Sequence, residues 1–379
     1  MGSGTGGAAA LGVALAFNSV GTESDPNSAT ARVTASSVDT DDLSINATTA
    51  QSIGSVVIAA SVAVGVGSSS GFGLAASGVF AENEIAADAV ATLENIAADS
   101  ITATDIAVNA QDVSTIRSTA GAAAVAVGVG STTGAAASIG VGLARNTIET
   151  QVKASVVDST LTGTQVVGTQ TVPKVGNIDV NASESASIDA VAFAASVAVG
   201  SGGSVGVGVS GAGADANNRI LTQTQAWVEN STLTISGDVD LDALSNAAIQ
   251  ATVVAVSVAV GAGGSVGGGL AVGASLARNE IGYVSNDITA DHVTGGSSAI
   301  TVLPNETVQI ADGPGAGAVY RYLGTAAQTF STIDVNRSEV WERIDLTESA
   351  SGTLAHFSGT TITAGGNICL LYTSPSPRD

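Results

Sequence analysis

The chain has 379 residues, with 33 acidic side chains against 11 basic ones and a formal charge of −22. A surface of that sign repels phosphate backbones, so nucleic acid is excluded as an expected partner. Only 12% of residues are charged and 3% aromatic, yet 45% are apolar and 47 are glycine, which is too apolar for a disordered chain and too poor in large side chains for a thick globular core.

The first residues, Met1-Gly2-Ser3-Gly4-Thr5-Gly6-Gly7-Ala8, lack the basic region of a secretory signal peptide and read as the middle of a repeat. A five-fold marker then runs along the chain. It is Ala-x-Asn-x-Ile/Val, with its asparagines at Asn18, Asn83, Asn146, Asn218 and Asn279. The Asn-to-Asn steps are 65, 63, 72 and 61 residues. A fixed period of this size signals a repeat architecture whose loops vary in length.

Each marker follows an apolar block. In the clearest copy, Val253 to Val260 leads through Gly261-Ala262-Gly263-Gly264-Ser265 into Val266 to Leu276. The alternation is that of strands. Val254, Val256, Val258 and Val260 share one face, while Ala255, Ser257 and Ala259 share the other. Neither face carries charge, so both are expected to be buried. A second block follows each marker, as in Asn230-Ser231-Thr232-Leu233-Thr234-Ile235 with Asp238-Val239-Asp240-Leu241-Asp242-Ala243. There apolar residues alternate with Asp, Asn, Ser and Thr, the pattern of a strand with one wet face.

The expected fold is therefore all-β: an elongated repeat array over residues 1–299, built as a β-solenoid of the parallel β-helix kind. Stacked long antiparallel β-hairpins are the alternative. With about 20–25 residues per coil in the shorter solenoid classes, each repeat is expected to hold about three coils. Residues 300–348 break the pattern and read as a small β insert, with Gly313-Pro314-Gly315-Ala316-Gly317 as a turn. It contains Tyr320, Tyr322, Phe330 and Trp341, which are expected either as a recognition surface or as the core of the insert. Residues 349–368 return to repeat strands. The end, Cys369 to Asp379, back-translates to a sequencing adapter and is expected to be unstructured.

The candidate chemistry is thin. The Gly-rich turns lack the helix start and the Gly-Lys-Ser/Thr that phosphate binding needs, and they recur in every repeat. The Asp238, Asp240, Asp242 group and the Asp39, Asp41, Asp42 group lack a calcium-loop pattern, which leaves only weak calcium binding. His292 and His356 have no metal-ligand spacing, and no nucleophile elbow is visible. No catalytic residue, cofactor site or metal site is expected. Val253–Leu276 is long enough for a membrane helix, but its Gly, Ser and β-branched alternation is not helical, so membrane insertion is not expected.

The Ala-Val-Ala-Val-Gly blocks, the Ala-Arg-Asn-x-Ile motifs at 144–148 and 277–281, and the Val-Tyr-Arg-Tyr and Trp-Glu-Arg strings of the insert resemble repeats of very large filamentous adhesins. They resemble equally the repeats of haemagglutinin- or leukotoxin-like exoproteins of Gram-negative, often marine, bacteria. The resemblance implies a non-catalytic structural segment of a secreted or cell-surface protein, hence an extracellular location. Its expected partners are neighbouring repeats of a longer chain and cell-surface or extracellular glycans or proteins. A carbohydrate-active enzyme on a solenoid and a membrane-inserting exoprotein are the competing functions.

Overall fold

The computed structural model describes residues 4–22, 24–285, 289–294, 300–311, 318–330, 340–344, 346–348 and 352–374. The turn expected at Gly313–Gly317 and the last five residues of the adapter-like end lie outside them. Every regular element described is a strand. The chain divides into two compact units: Met1–Ile281 with Gly352–Asp379, and Gly282–Ser351.

Nine long strands build the first unit. They are β1 (Thr5–Val20), β2 (Asp42–Gly67), β3 (Ser70–Glu94), β4 (Ile101–Gly130), β5 (Thr133–Val157), β6 (Val175–Gly202), β7 (Val205–Glu229), β8 (Ala248–Gly263) and β9 (Val266–Ile281). They form two sheets of parallel strands. One has the order β1-β3-β5-β7-β9 and the other β2-β4-β6-β8. Strands joined by a Gly/Ser turn, such as β2 and β3 across Ser68-Ser69, enter different sheets and are not hydrogen-bonded to each other. Each repeat thus adds one strand to each sheet.

Two expectations change here. A repeat contributes one coil of two strands of 25 to 30 residues in its complete copies, not three short coils. The long strands also pair in parallel with the next repeat, so the hairpin alternative does not describe them. The reason is the uninterrupted alternation: no Pro falls inside these runs, and none of their glycines adopts a positive φ that would turn the chain.

The two halves of each strand pack differently. Near the Asp/Asn/Thr end, Ile45, Ile106, Val108, Ile178, Val180, Val239 and Leu241 point between the sheets and form a core of large side chains. Near the Gly turns the inward residues are small: Ala63, Ala75, Ala124, Ala126, Ala136 and Ala198. Backbones of the two sheets nearly touch there. A Cβ placed on Gly71 would fall on the carbonyl of Val129, and one on Gly134 on that of Ser201. The expectation that both faces of this block are buried fails as a result. The tiny face turns inward because it allows the close approach, and the bulky face is left outside, with Val254, Val256, Val258 and Val260 45–52% exposed.

The far turns share a left-handed residue with φ between 46° and 60°: Asn95, Asp158 and Asn230 follow β3, β5 and β7, and Ala35 and Gly359 follow the strands Asn27–Thr34 and Gly352–Ser358 of the same sheet. Asn and Asp tolerate this conformation better than most residues. The step of 72 residues is accommodated just beyond it, where the hairpin Thr164–Val167 with Gln170–Pro173 is inserted.

The first sheet also admits insertions directly after the Asn marker. Val20 pairs with Ile85 and Asn27 with Ala87, so residues 21–26 stand opposite one residue. Ile281 pairs with Ile220, and Gly352 resumes the ladder opposite Gln223. Residues 282–351 are therefore inserted in the chain between the ladder positions opposite Ile220 and Gln223.

The end of the chain corrects another expectation. Ile368–Thr373 is a strand, paired in parallel with Val239–Leu244. All six residues are exposed. The open edge of a parallel sheet offers a row of backbone partners to any extended segment.

Candidate functional site

The marker asparagines form one continuous ladder. Asn18 Nδ2 donates to Asn83 at 2.8 Å, Asn83 to Asn146 at 2.7 Å, Asn146 to Asn218 at 2.7 Å and Asn218 to Asn279 at 2.9 Å. The three central amides are buried. Parallel in-register stacking places identical side chains one strand spacing apart, the distance an amide needs to bond its copy. Weaker ladders run on the wet face, with Asn109 donating to Asn46 and Asn181 to Asn109.

Sequence reading missed a buried carboxyl pair. Asp112 and Glu184 are register partners on β4 and β6, flanked by Thr49 and Ser245 on the adjoining strands. Asp112 accepts from Thr49 at 2.8 Å and Ser114 at 3.0 Å, and Glu184 from Ser245 at 2.6 Å. The second oxygens, Asp112 Oδ2 and Glu184 Oε1, have no hydrogen-bond partner. Burial pushes both pKa values up, and the Asp112 charge raises Glu184 further. Both shifts favour the uncharged, protonated forms. Its signal in the sequence is an acid at a position where the alternation calls for an inward residue.

The acids anticipated as a cluster lie elsewhere. Asp240 and Asp242 face outward beside Asp179, whose pKa rises by burial and by repulsion from Asp240, Asp105, Asp242 and Asp238. Cys369 joins this face, its thiol raised by a hydrogen bond to Asp240. Among the described residues, no group of three or more His, Cys, Asp or Glu is arranged to hold a metal ion.

In the second unit Tyr320, Tyr322 and Trp341 are buried together with Val302, Val308 and Ile310, and Phe330 packs against them. Ring centroids of Tyr322, Phe330 and Trp341 lie 5.1 to 5.4 Å apart. The rings are the core of this unit. On its surface His292 meets Glu306 at 2.9 Å, and Asp291 accepts two hydrogen bonds from Thr307. These bonds hold both carboxyls below their usual range: Asp291 chiefly through Thr307, Glu306 chiefly through the Leu303 amide. His356 stacks on Trp227 in the first unit, at 6.4 Å between ring centroids. The two histidines thus sit in different units.

The chain matches no protein-family model, no curated protein and no solved structure.

Proposed function

We propose that this chain is a non-catalytic β-solenoid segment of a large secreted or cell-surface protein of the filamentous adhesin kind. The observation that carries the reading is the unbroken register of the asparagine ladder through five repeats. Identical contacts repeat from strand to strand, as expected of an array whose job is to extend. The spread of the Asn marker over every repeat also argues against an enzyme, whose groove would set one repeat apart.

The geometry alters what kind of structural element this is. Strands of about 25 residues span roughly 80 Å, while each added repeat advances the stack by only about 4.8 Å. A repeat of some 65 residues spent on one strand spacing makes a broad wall rather than a slender rod.

The test is solution scattering on proteins carrying three, four and six repeats. The expected result is a constant wide dimension and a stack that grows by about 4.8 Å per repeat. Growth of about three strand spacings per repeat, or beads on a flexible string, overturns the reading.

A further inference from the structure

The half of the sheet pair near the Gly turns carries bulky aliphatic side chains on both outer faces. Exposure at the sheet edges is expected, so the deciding residues are on strands with neighbours on both sides. Phe72, Leu74, Val129, Ile139, Val207 and Val209 are still 36–56% exposed. Monomeric soluble proteins rarely leave a continuous apolar surface of this extent open.

The band has a defined height. On β4 no charge occurs from Thr119 to Gly130, and the next charge is Arg117, register partner of Asp189. On β5 none occurs from Thr133 to Leu143, and the next is Arg145, 3.6 Å from Glu82. Eleven or twelve residues of strand span roughly 36–40 Å. A bilayer's hydrocarbon core is about 30 Å thick, and a crossing strand needs about 9–11 residues. Phe17 and Phe80 sit at the charged border with ring centroids 5.7 Å apart, and the Arg145 guanidinium lies 5.9 Å over Phe80. Arginine favours that depth in a membrane, and the apolar Phe rings belong on its hydrocarbon side. The turns at the other end, Ser68-Ser69, Ser131-Thr132, Gly203-Ser204 and Gly264-Ser265, carry no charge.

We propose that this half of the sheet pair inserts into the hydrocarbon core of a lipid bilayer, its strands crossing the membrane and its Asp/Asn/Thr half standing in water. The charge profile complements a bilayer: none over ten to twelve residues of strand, then Asp215 in the row of Leu143, paired charges and rings at the border, and acids beyond. A protein partner would cover one face, whereas here both faces and the connecting turns are uncharged. An apolar depression of about 310 Å³, lined in part by Leu11, Leu74, Ala76, Ala137 and Ile139, gives an acyl chain a seat on one face. Parallel ladders satisfy the backbone of the strands that have neighbours on both sides, and hydrocarbon requires the same of the edge strands. The open edges pair with further repeats or with copies of the chain. The interior is packed with Ala, Gly and Ser, so insertion opens no aqueous pore. The expectation against membrane insertion rested on the block not being helical, and a strand pair enters by another route. This inference does not depend on the adhesin reading.

The full chain is tested on phosphatidylcholine vesicles, both added to preformed vesicles and reconstituted from detergent so that edges can pair. Most of the protein is expected to float with the lipid, without release of a trapped dye. L74D combined with I139D is expected to cut flotation roughly tenfold or more, while T48D on the wet face leaves it unchanged. In a C369S background, a polarity-sensitive fluorophore on I139C is expected to shift to the blue with vesicles, and one on T48C is not. Circular dichroism checks that each variant is folded. Protein left unbound in both preparations overturns the proposal, as does flotation unaffected by the two acids. A blue shift at position 139 without lipid also overturns it, since the band is then covered by a second copy.

Discussion

At Asn146 one side chain donates to Asn218 and accepts from Asn83, wholly out of water. Replacing it with leucine leaves both neighbours short of a partner. A buried unsatisfied polar group costs about 1–3 kcal/mol, so N146L is expected to lower stability by about 2–4 kcal/mol in urea unfolding. N109A removes the same kind of bond on the wet face and is expected to cost less than about 1 kcal/mol, because water replaces the partner. The five asparagines were legible in the sequence as a period. Their inward aim was not, since a polar marker reads equally as a solvated face until the register is known. Asp112 and Glu184 carry a second residue-scale prediction. Both have raised pKa values in the fold, chiefly from burial. The folded chain therefore keeps protons that the unfolded chain has already released. Stability from these groups is greatest below the ordinary carboxylate range and falls as pH rises through the raised values. The urea midpoint is expected to be higher near about pH 4.5 than near about pH 7.5. D112N combined with E184Q should flatten that dependence, and an unchanged slope refutes it.

Elements are where the alternation was most informative and also where it misled. Strand identity and both faces of Val253–Leu276 could be read directly, because period-two patterning fixes which residues share a side. Which side faces inward could not, because hydrophobicity alone favours the Val face. Steric access decided it instead: a Cβ on Gly128 would fall on the carbonyl of Ala135, and one on Gly200 on that of Val207. G128V is accordingly expected to abolish cooperative folding. G78A, with nothing within 4 Å of the added Cβ, is expected to leave the urea midpoint unchanged or raise it. The mid-strand insertion point yields a further test. Deleting 282–351 and joining Ile281 to Gly352 through Leu-Thr should restore a continuous strand beside Ile220 to Gln223. The shortened protein is expected to unfold at the same or higher urea concentration, and loss of β circular dichroism would refute the placement.

On the scale of the whole first unit, the count of repeats was legible and the count of coils was not. The strands exceed the usual length of 3–10 residues several-fold, so a coil of ordinary size was the natural inference. What allows the excess is a change of interior along each strand, from Ile, Val and Leu at one end to Ala, Gly and Ser at the other. The shared register has one more consequence. Because every repeat meets its neighbours through equivalent positions, a gene crossover between any two repeats joins strands that still match. Whole units can be gained or lost by recombination with every ladder intact, so copy number is free to drift between lineages while the cross-section is inherited unchanged.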